Sequence, residues 1–305
     1  MRNSFARAMT DLAKERTDIC LLSGDIGNRM FDEYKEVAPT RFLNCGIAEA
    51  NMMSIAAGMA LSGIKPVVYT ITPFTTTRCL EQIRVGVGYH ETSVVIVGTG
   101  SGLSYAELGA THHSLEDIAI MRSIPNMQVC APADSLELVA QLKEAINKGT
   151  PTYIRIGKKG EPDLFMDKEK LGIGKAILLK PGKKILLIGV GPILSEALEA
   201  HVHLKSIGIN MAVASMGSIK PLDKKFLLKM VTEGYQSWIT LEEHHQCGGL
   251  GTTILEWLSE NEIRNINLKR MGIADHFIHK LGDQKYVREA EGINAKGIVS
   301  IAKML

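Results

Sequence analysis

The chain is poor in aromatics, carries no strong charge bias and has no long uncharged apolar run. Only 5% of its 305 residues are aromatic, and 35 Lys and Arg are set against 33 Asp and Glu, for a net charge of +2. Such balance, with no dense Lys/Arg tract, excludes an electrostatic case for nucleic acid or an anionic membrane as partner. No uncharged apolar stretch reaches the roughly 20 residues that a membrane-spanning helix needs. Five cysteines (Cys20, Cys45, Cys79, Cys130, Cys247) are scattered without a CxxC pair. An odd, unpatterned set speaks against a disulfide framework and for a reducing cytoplasm. The opening MRNSFARAMTDLAKER mixes acids and bases on an amphipathic helix, unlike a signal peptide.

What is present is the material of an α/β protein. Hydrophobic residues make up 45% of the chain and there are 29 glycines, and the length suits two domains. Short β-rich runs alternate with helical patterns, as in layered parallel α/β folds. Six strands are expected near Ile19–Leu22, Arg41–Asn44, Pro66–Thr70, Ser93–Val97, Met127–Ala131 and Thr152–Ile156. Helices are expected between them, including Ala48–Ser62, Thr75–Val87, Ser114–Ser123 and Ser135–Lys148, the last capped by Asp134. The polar, glycine-rich stretch 158–175 reads as a linker between a first domain, 1–157, and a second, smaller one, 176–305. The expected fold class is thus α/β, two doubly wound domains, the first a mostly parallel six-stranded sheet. Gly189-Val190-Gly191-Pro192 follows a strand, but Leu194 stands where a dinucleotide-binding loop needs its third glycine, so a tight turn is the better reading.

Glu49 is the one acid in the apolar run GIAEANMMSIAAGMALSG. A carboxylate there is costly unless a basic group needs it, although the first turn of a helix also favours an acid. Three further blocks carry chemistry. Phe74 and Arg78 lie four residues apart in TPFTTTR, one helical turn and on the same face. His112 and His113 follow Glu107-Leu108-Gly109-Ala110-Thr111, and Arg122-Ser123-Ile124-Pro125-Asn126-Met127 comes soon after. Leu241-Glu242-Glu243-His244-His245-Gln246-Cys247-Gly248-Gly249-Leu250-Gly251 forms the fourth. Neither histidine pair has the spacing of a good metal site.

Together these blocks resemble the pyrimidine-binding and C-terminal domains of transketolase-like thiamine diphosphate enzymes, from Arg2 to about Gly297. The resemblance implies that Glu49 bonds N1′ of the cofactor's aminopyrimidine and drives the tautomer that activates it. It puts Phe74 in stacking contact with that ring and Asp25 near the cofactor at a subunit contact. It gives His112 the substrate oxygens, where an imidazole can donate to a developing alkoxide. Lys158 and Arg2 align with basic residues that bind a sugar phosphate, and Arg78 would face substrate or a partner chain. The E-E-H and G-G-L-G block becomes a strand-to-helix turn near the subunit interface. The family's substrate loop has an Asp four residues before its His, where this chain has Leu108, so a substrate lacking the corresponding hydroxyl is expected, unless Glu107 takes over the contact.

The chain carries no Gly-Asp-Gly, the family signature for Mg²⁺ and the cofactor's diphosphate. The resemblance therefore implies a split enzyme. An N-terminal diphosphate-binding partner supplies the Mg²⁺ ligands, none coming from this chain, and an α₂β₂ heterotetramer forms. The implied reaction moves a ketol or acyl group from a ketose or 2-oxoacid donor to an aldehyde. Two alternatives stay open: the beta chain of a 2-oxoacid dehydrogenase or decarboxylase component, and a non-catalytic scaffold. Retention of Glu49, Phe74 and His112 together disfavours the scaffold.

Overall fold

A computed structural model describes residues 1–27, 29–166, 170–280 and 282–305. Part of the expected linker, residues 167–169, lies outside them. The first sheet has the order β10-β5-β6-β4-β3-β1-β2, formed by β1 (Ile19–Ser23), β2 (Phe42–Asn44), β3 (Lys65–Ile71), β4 (Val95–Thr99), β5 (Gln128–Cys130), β6 (Thr152–Ile156) and β10 (Ser218–Lys220). The pairs among β1 to β6 are all parallel. β1, β4 and β6 are buried at every position, as expected of strands covered by helices on both faces.

The sheet has seven strands rather than six, because the second domain contributes one. β10 runs antiparallel to β5, with Ser218 opposite Cys130, and covers an edge that would otherwise present unpaired backbone. The second sheet has the order β12-β11-β8-β9-β7, from β7 (Ala176–Lys180), β8 (Ile185–Gly189), β9 (Met211–Met216), β11 (Ser237–His245) and β12 (Asn267–Ile273). β7 was not anticipated. It is a half-exposed edge strand, antiparallel to β9, and its run AILLK lacks a clean alternation.

Helix ends follow local chemistry. Asp134 Oδ1 accepts from the Leu136 and Glu137 amides at 2.9 Å and starts the helix Ser135–Lys148 as expected. The continuous helix expected over Thr75–Val87 is instead broken into a turn at Thr72–Thr75, a 3₁₀ turn at Thr77–Cys79 and a π-type turn at Ile83–Tyr89. The reason lies in the threonines. Thr75 and Thr76 hydroxyls donate to the Thr72 carbonyl at 3.1 and 2.8 Å, offering the backbone an alternative to the helical ladder. Among the described residues no helix is long and apolar enough to cross a membrane.

The segments carrying Asp25, Glu49, Phe74, His112 and Lys158 follow the carboxyl ends of β1, β2, β3, β4 and β6 in turn. That edge is where open α/β sheets place their ligands.

Candidate active site

β2 ends at Asn44, whose side-chain Oδ1 accepts from the Gly46 amide at 2.9 Å. Gly46 has φ +66°, a conformation that glycine adopts without strain. The sharp turn brings the chain directly into the helix Glu49–Leu61. Glu49 is its first residue and is 5% exposed, and it makes no side-chain capping bond. Its place in the first turn sets the carboxylate near the positive end of the helix, and it receives Arg78 Nη1 at 2.9 Å.

From Glu49 an unbroken row of contacts leads outward. The Arg78 guanidinium lies over the Phe74 ring, 3.9 Å from its centroid, a planar cation on an aromatic face. The interrupted helix does not separate the two. The Phe74 ring meets the His112 imidazole edge-on at 5.4 Å, and His112 meets Tyr105 at 5.8 Å. Lys158 sits over the Tyr105 ring at 4.3 Å and pairs with Glu107 at 3.3 Å. Thr111 Oγ1 lies 2.9 Å from His112 Nδ1. Partial burial holds the His112 imidazole below the usual histidine range, with repulsion from His113 and Arg78 adding to it, so it is neutral near pH 7. Its own backbone amide and Lys158 hold the Glu107 carboxyl below the usual range.

The structure thus unites Glu49, Phe74, Arg78, His112 and Lys158. Leu108 is on the same loop and 48% exposed. Asp25 is exposed beside the row, its amide donating to the Gly46 carbonyl at 3.1 Å. Arg2 opens the first helix, next to Met1, whose amino group pairs with Glu161 at 2.8 Å, three residues beyond Lys158. It lines a cavity of about 810 Å³ with Arg7 and Arg29. Its Nε is buried without a hydrogen-bond partner among the described residues.

Several residues escaped the sequence reading. Tyr105 supports both His112 and Lys158, and its only signal was an aromatic in a glycine-rich loop. Arg155, 4% exposed on β6, binds both oxygens of Asp117 at 2.8 and 3.1 Å, and Tyr153 donates to Asp117 at 2.6 Å. The E-E-H turn packs on the chain's own first domain. A register shift in β11 between Leu241 and His245 re-aims its side chains. Glu242 caps the helix Leu250–Glu260 through the Leu250 and Gly251 amides at 2.7 and 2.9 Å. A Cβ on Gly249 would lie 2.0 Å from Glu242 Oε2, so a larger residue there would displace the capping carboxylate. His244 Nε2 accepts from the Ala119 amide at 3.3 Å and its Nδ1 meets the His245 carbonyl at 2.7 Å.

A buried carboxylate, an aromatic face and a neutral imidazole in one row, at the carboxyl edge of a parallel sheet, suit a flat heteroaromatic base with a substrate beside it. The descriptions of known families agree. "Transketolase, pyrimidine binding domain" matches residues 1–161 and "Transketolase, C-terminal domain" matches residues 174–298. The chain belongs to the transketolase family. It is 34% identical over 304 residues to a subunit of the apulose-4-phosphate transketolase of Phocaeicola vulgatus, covering 99% of this chain and 96% of that one. It is 31% identical to the 6-deoxy-6-sulfo-D-fructose transketolase subunit SqwH of a Clostridium species, covering 99% and 93%. A solved structure titled "Split gene transketolase, inactive beta4 tetramer" superimposes with a TM-score of 0.90 at 32% identity, covering 99% and 97%. The chain is therefore the counterpart of the beta-type subunit of split transketolases, transferases that work with a partner subunit. The family implies thiamine diphosphate as cofactor.

Proposed function

We propose that this chain is the pyrimidine-binding subunit of a two-chain, thiamine diphosphate-dependent transketolase acting on a modified sugar. The observation that supports it best is the Glu49 carboxylate, buried at a helix start and facing Phe74 through Arg78. The residues fit the cofactor. Arg78, a planar N–H donor, stacks on Phe74 and donates to Glu49, which are the two contacts an aminopyrimidine requires. Glu49 would hold N1′ and share its proton, Phe74 would stack on the ring, and Asp25 would stand at the neighbouring chain contact. When bound, the cofactor supplies the nucleophilic carbon that cleaves the donor and carries its fragment to the acceptor.

His112, kept neutral, donates to or accepts from substrate oxygens as charge develops. Lys158 attracts an anionic substrate group once Glu107 yields, and Arg2 offers a second cation. The relatives' names, an apulose 4-phosphate and a sulfo-deoxy-fructose transketolase, support a substrate outside the ordinary ketose phosphates, as does apolar Leu108. Mg²⁺ and the diphosphate belong to a partner chain carrying Gly-Asp-Gly, in an α₂β₂ assembly with sites at the interfaces. The scattered free thiols suit the cytoplasm.

The test is Glu49→Gln in the assembled enzyme. The amide keeps shape and hydrogen bonding but cannot exchange the proton, so turnover should fall about 10²-fold or more, with an unchanged melting temperature. Near-normal turnover would remove the thiamine assignment.

A further inference from the structure

We propose that the second domain positions His112, with Glu243 and Arg288 as the positioning residues; this rests on the substrate role just given to His112. The segment from Gly102 to Ser114 is closed into a loop by two backbone bonds, Gly102 N to Ser114 O at 3.2 Å and Ser114 N to Gly102 O at 3.1 Å. Inside it the His112 and His113 amides both donate to the Gly109 carbonyl at 3.0 Å, and His113 Nε2 lies 3.0 Å from the Ala106 carbonyl. The loop is therefore a unit whose placement is set at its base.

That base rests on the second domain. Glu243, 5% exposed, accepts from the Leu103 amide at 3.3 Å, from Gln284 Nε2 at 3.0 Å and from Arg288 Nε. Arg155 Nη2 clamps the other strand of the base, donating to the Ser114 carbonyl at 3.1 Å and the Glu243 carbonyl at 3.2 Å. A Cβ on Gly102 would lie 2.5 Å from Glu243 Oε2, so the backbone comes as close as glycine permits. Leu103, Ala106 and Leu115 are buried in the same apolar cluster as Leu241, Ile278 and Val287.

A shared apolar cluster and the β10–β5 pairing already join the domains. A buried ion pair adds little stability over an apolar substitute, because desolvation offsets its attraction. What it adds here is direction: donors from two domains converge on one carboxylate and leave the loop base a single seat. Two residues from that base, His112 meets Phe74 and Tyr105.

The experiment uses the full chain with Glu243→Gln, reading amide hydrogen exchange by segment together with the melting temperature. Positioning predicts at least tenfold faster exchange in residues 103–112 and unchanged protection in β1, β3 and β4. An unchanged loop, or a uniform rise across the chain in step with lost stability, would overturn it. If Glu243→Gln does not fold, Gln284→Ala, which removes one donor, should raise exchange about threefold in the same segment, and no change there would overturn the proposal. Kinetics of the assembled enzyme separate the two layers. A looser loop with a raised KM and a smaller change in kcat supports both. A looser loop with unaltered kinetics would keep the positioning and remove the substrate role of His112.

Discussion

Glu49 was legible because a single acid in an apolar run demands an explanation, and burial at the helix start supplies the setting that the sequence implied. Arg78 was read only as a cation one turn from Phe74. Its ion pair with Glu49 joins residues 29 positions apart in the chain, and no spacing rule reaches across that separation. The pair makes a prediction. Arg78→Met keeps a long apolar side chain on Phe74 but leaves Glu49 without the 2.9 Å donor. An unpaired buried carboxylate costs on the order of 1–3 kcal/mol, so the chain without cofactor should melt several degrees lower. Under the proposed function the guanidinium must leave Phe74 before a ring can stack there. Thiamine diphosphate with the partner chain should then bind the variant about tenfold more tightly than the wild type. Calorimetric titration would decide; tenfold weaker binding would instead make Arg78 a ligand for cofactor or substrate.

At the scale of elements, the parallel strands were readable from their apolar runs because both faces are covered. The broken helix after β3 was not, since the Thr72 carbonyl is claimed by side chains that periodicity does not weigh. The edge strands β7 and β10 were missed for a related reason: half-buried and short, they carry little pattern. The loop between β4 and the helix Asp117–Ser123 shows how a local substitution sets chemistry. Leu108 is 48% exposed, and Glu107 is committed to Lys158 at 3.3 Å. Glu107 is thus not free to replace the missing Asp without releasing Lys158. Leu108→Asp should shift relative kcat/KM toward acceptors bearing the 2-hydroxyl by about tenfold, the worth of one hydrogen bond of roughly 1.4 kcal/mol. Steady-state kinetics on 2-hydroxy and 2-deoxy aldehyde pairs would measure it. A wild type that already prefers the hydroxylated member tenfold would contradict the reading of Leu108.

At the scale of the whole molecule, the two domains share a sheet through β10 and a buried polar seam that no sequence pattern announced. Glu137, in the first turn of the helix Ser135–Lys148, lies in that seam. Its Oε2 accepts from the Ala133 amide at 2.7 Å, and a Cβ on Gly217 of the second domain would lie 1.8 Å from its Oε1. Gln141, one turn on, donates to the Gly217 carbonyl at 2.8 Å while its own Oε1 has no hydrogen-bond partner among the described residues. Burial pushes the Glu137 carboxyl up to about 8, so it is mainly protonated at neutral pH.

Because that folded value lies above the unfolded one, the group's contribution is complete below about pH 4.5. It is lost as pH rises toward 8, since the unfolded chain ionises first. His244 acts in the opposite sense. Burial lowers it to about 4, so its contribution is complete above about pH 6.5 and falls in acid. A comparison of variants isolates Glu137, because His244 is common to both chains. Glu137→Gln keeps an acceptor for Ala133, and it stays neutral at every pH. The variant should match the wild type within about 1 °C at pH 4 and melt several degrees higher at pH 8, from a difference on the order of a few kcal/mol. Equal melting temperatures at both pH values would mean that Glu137 is ionised in the fold, its charge held by the Ala133 amide and the helix start.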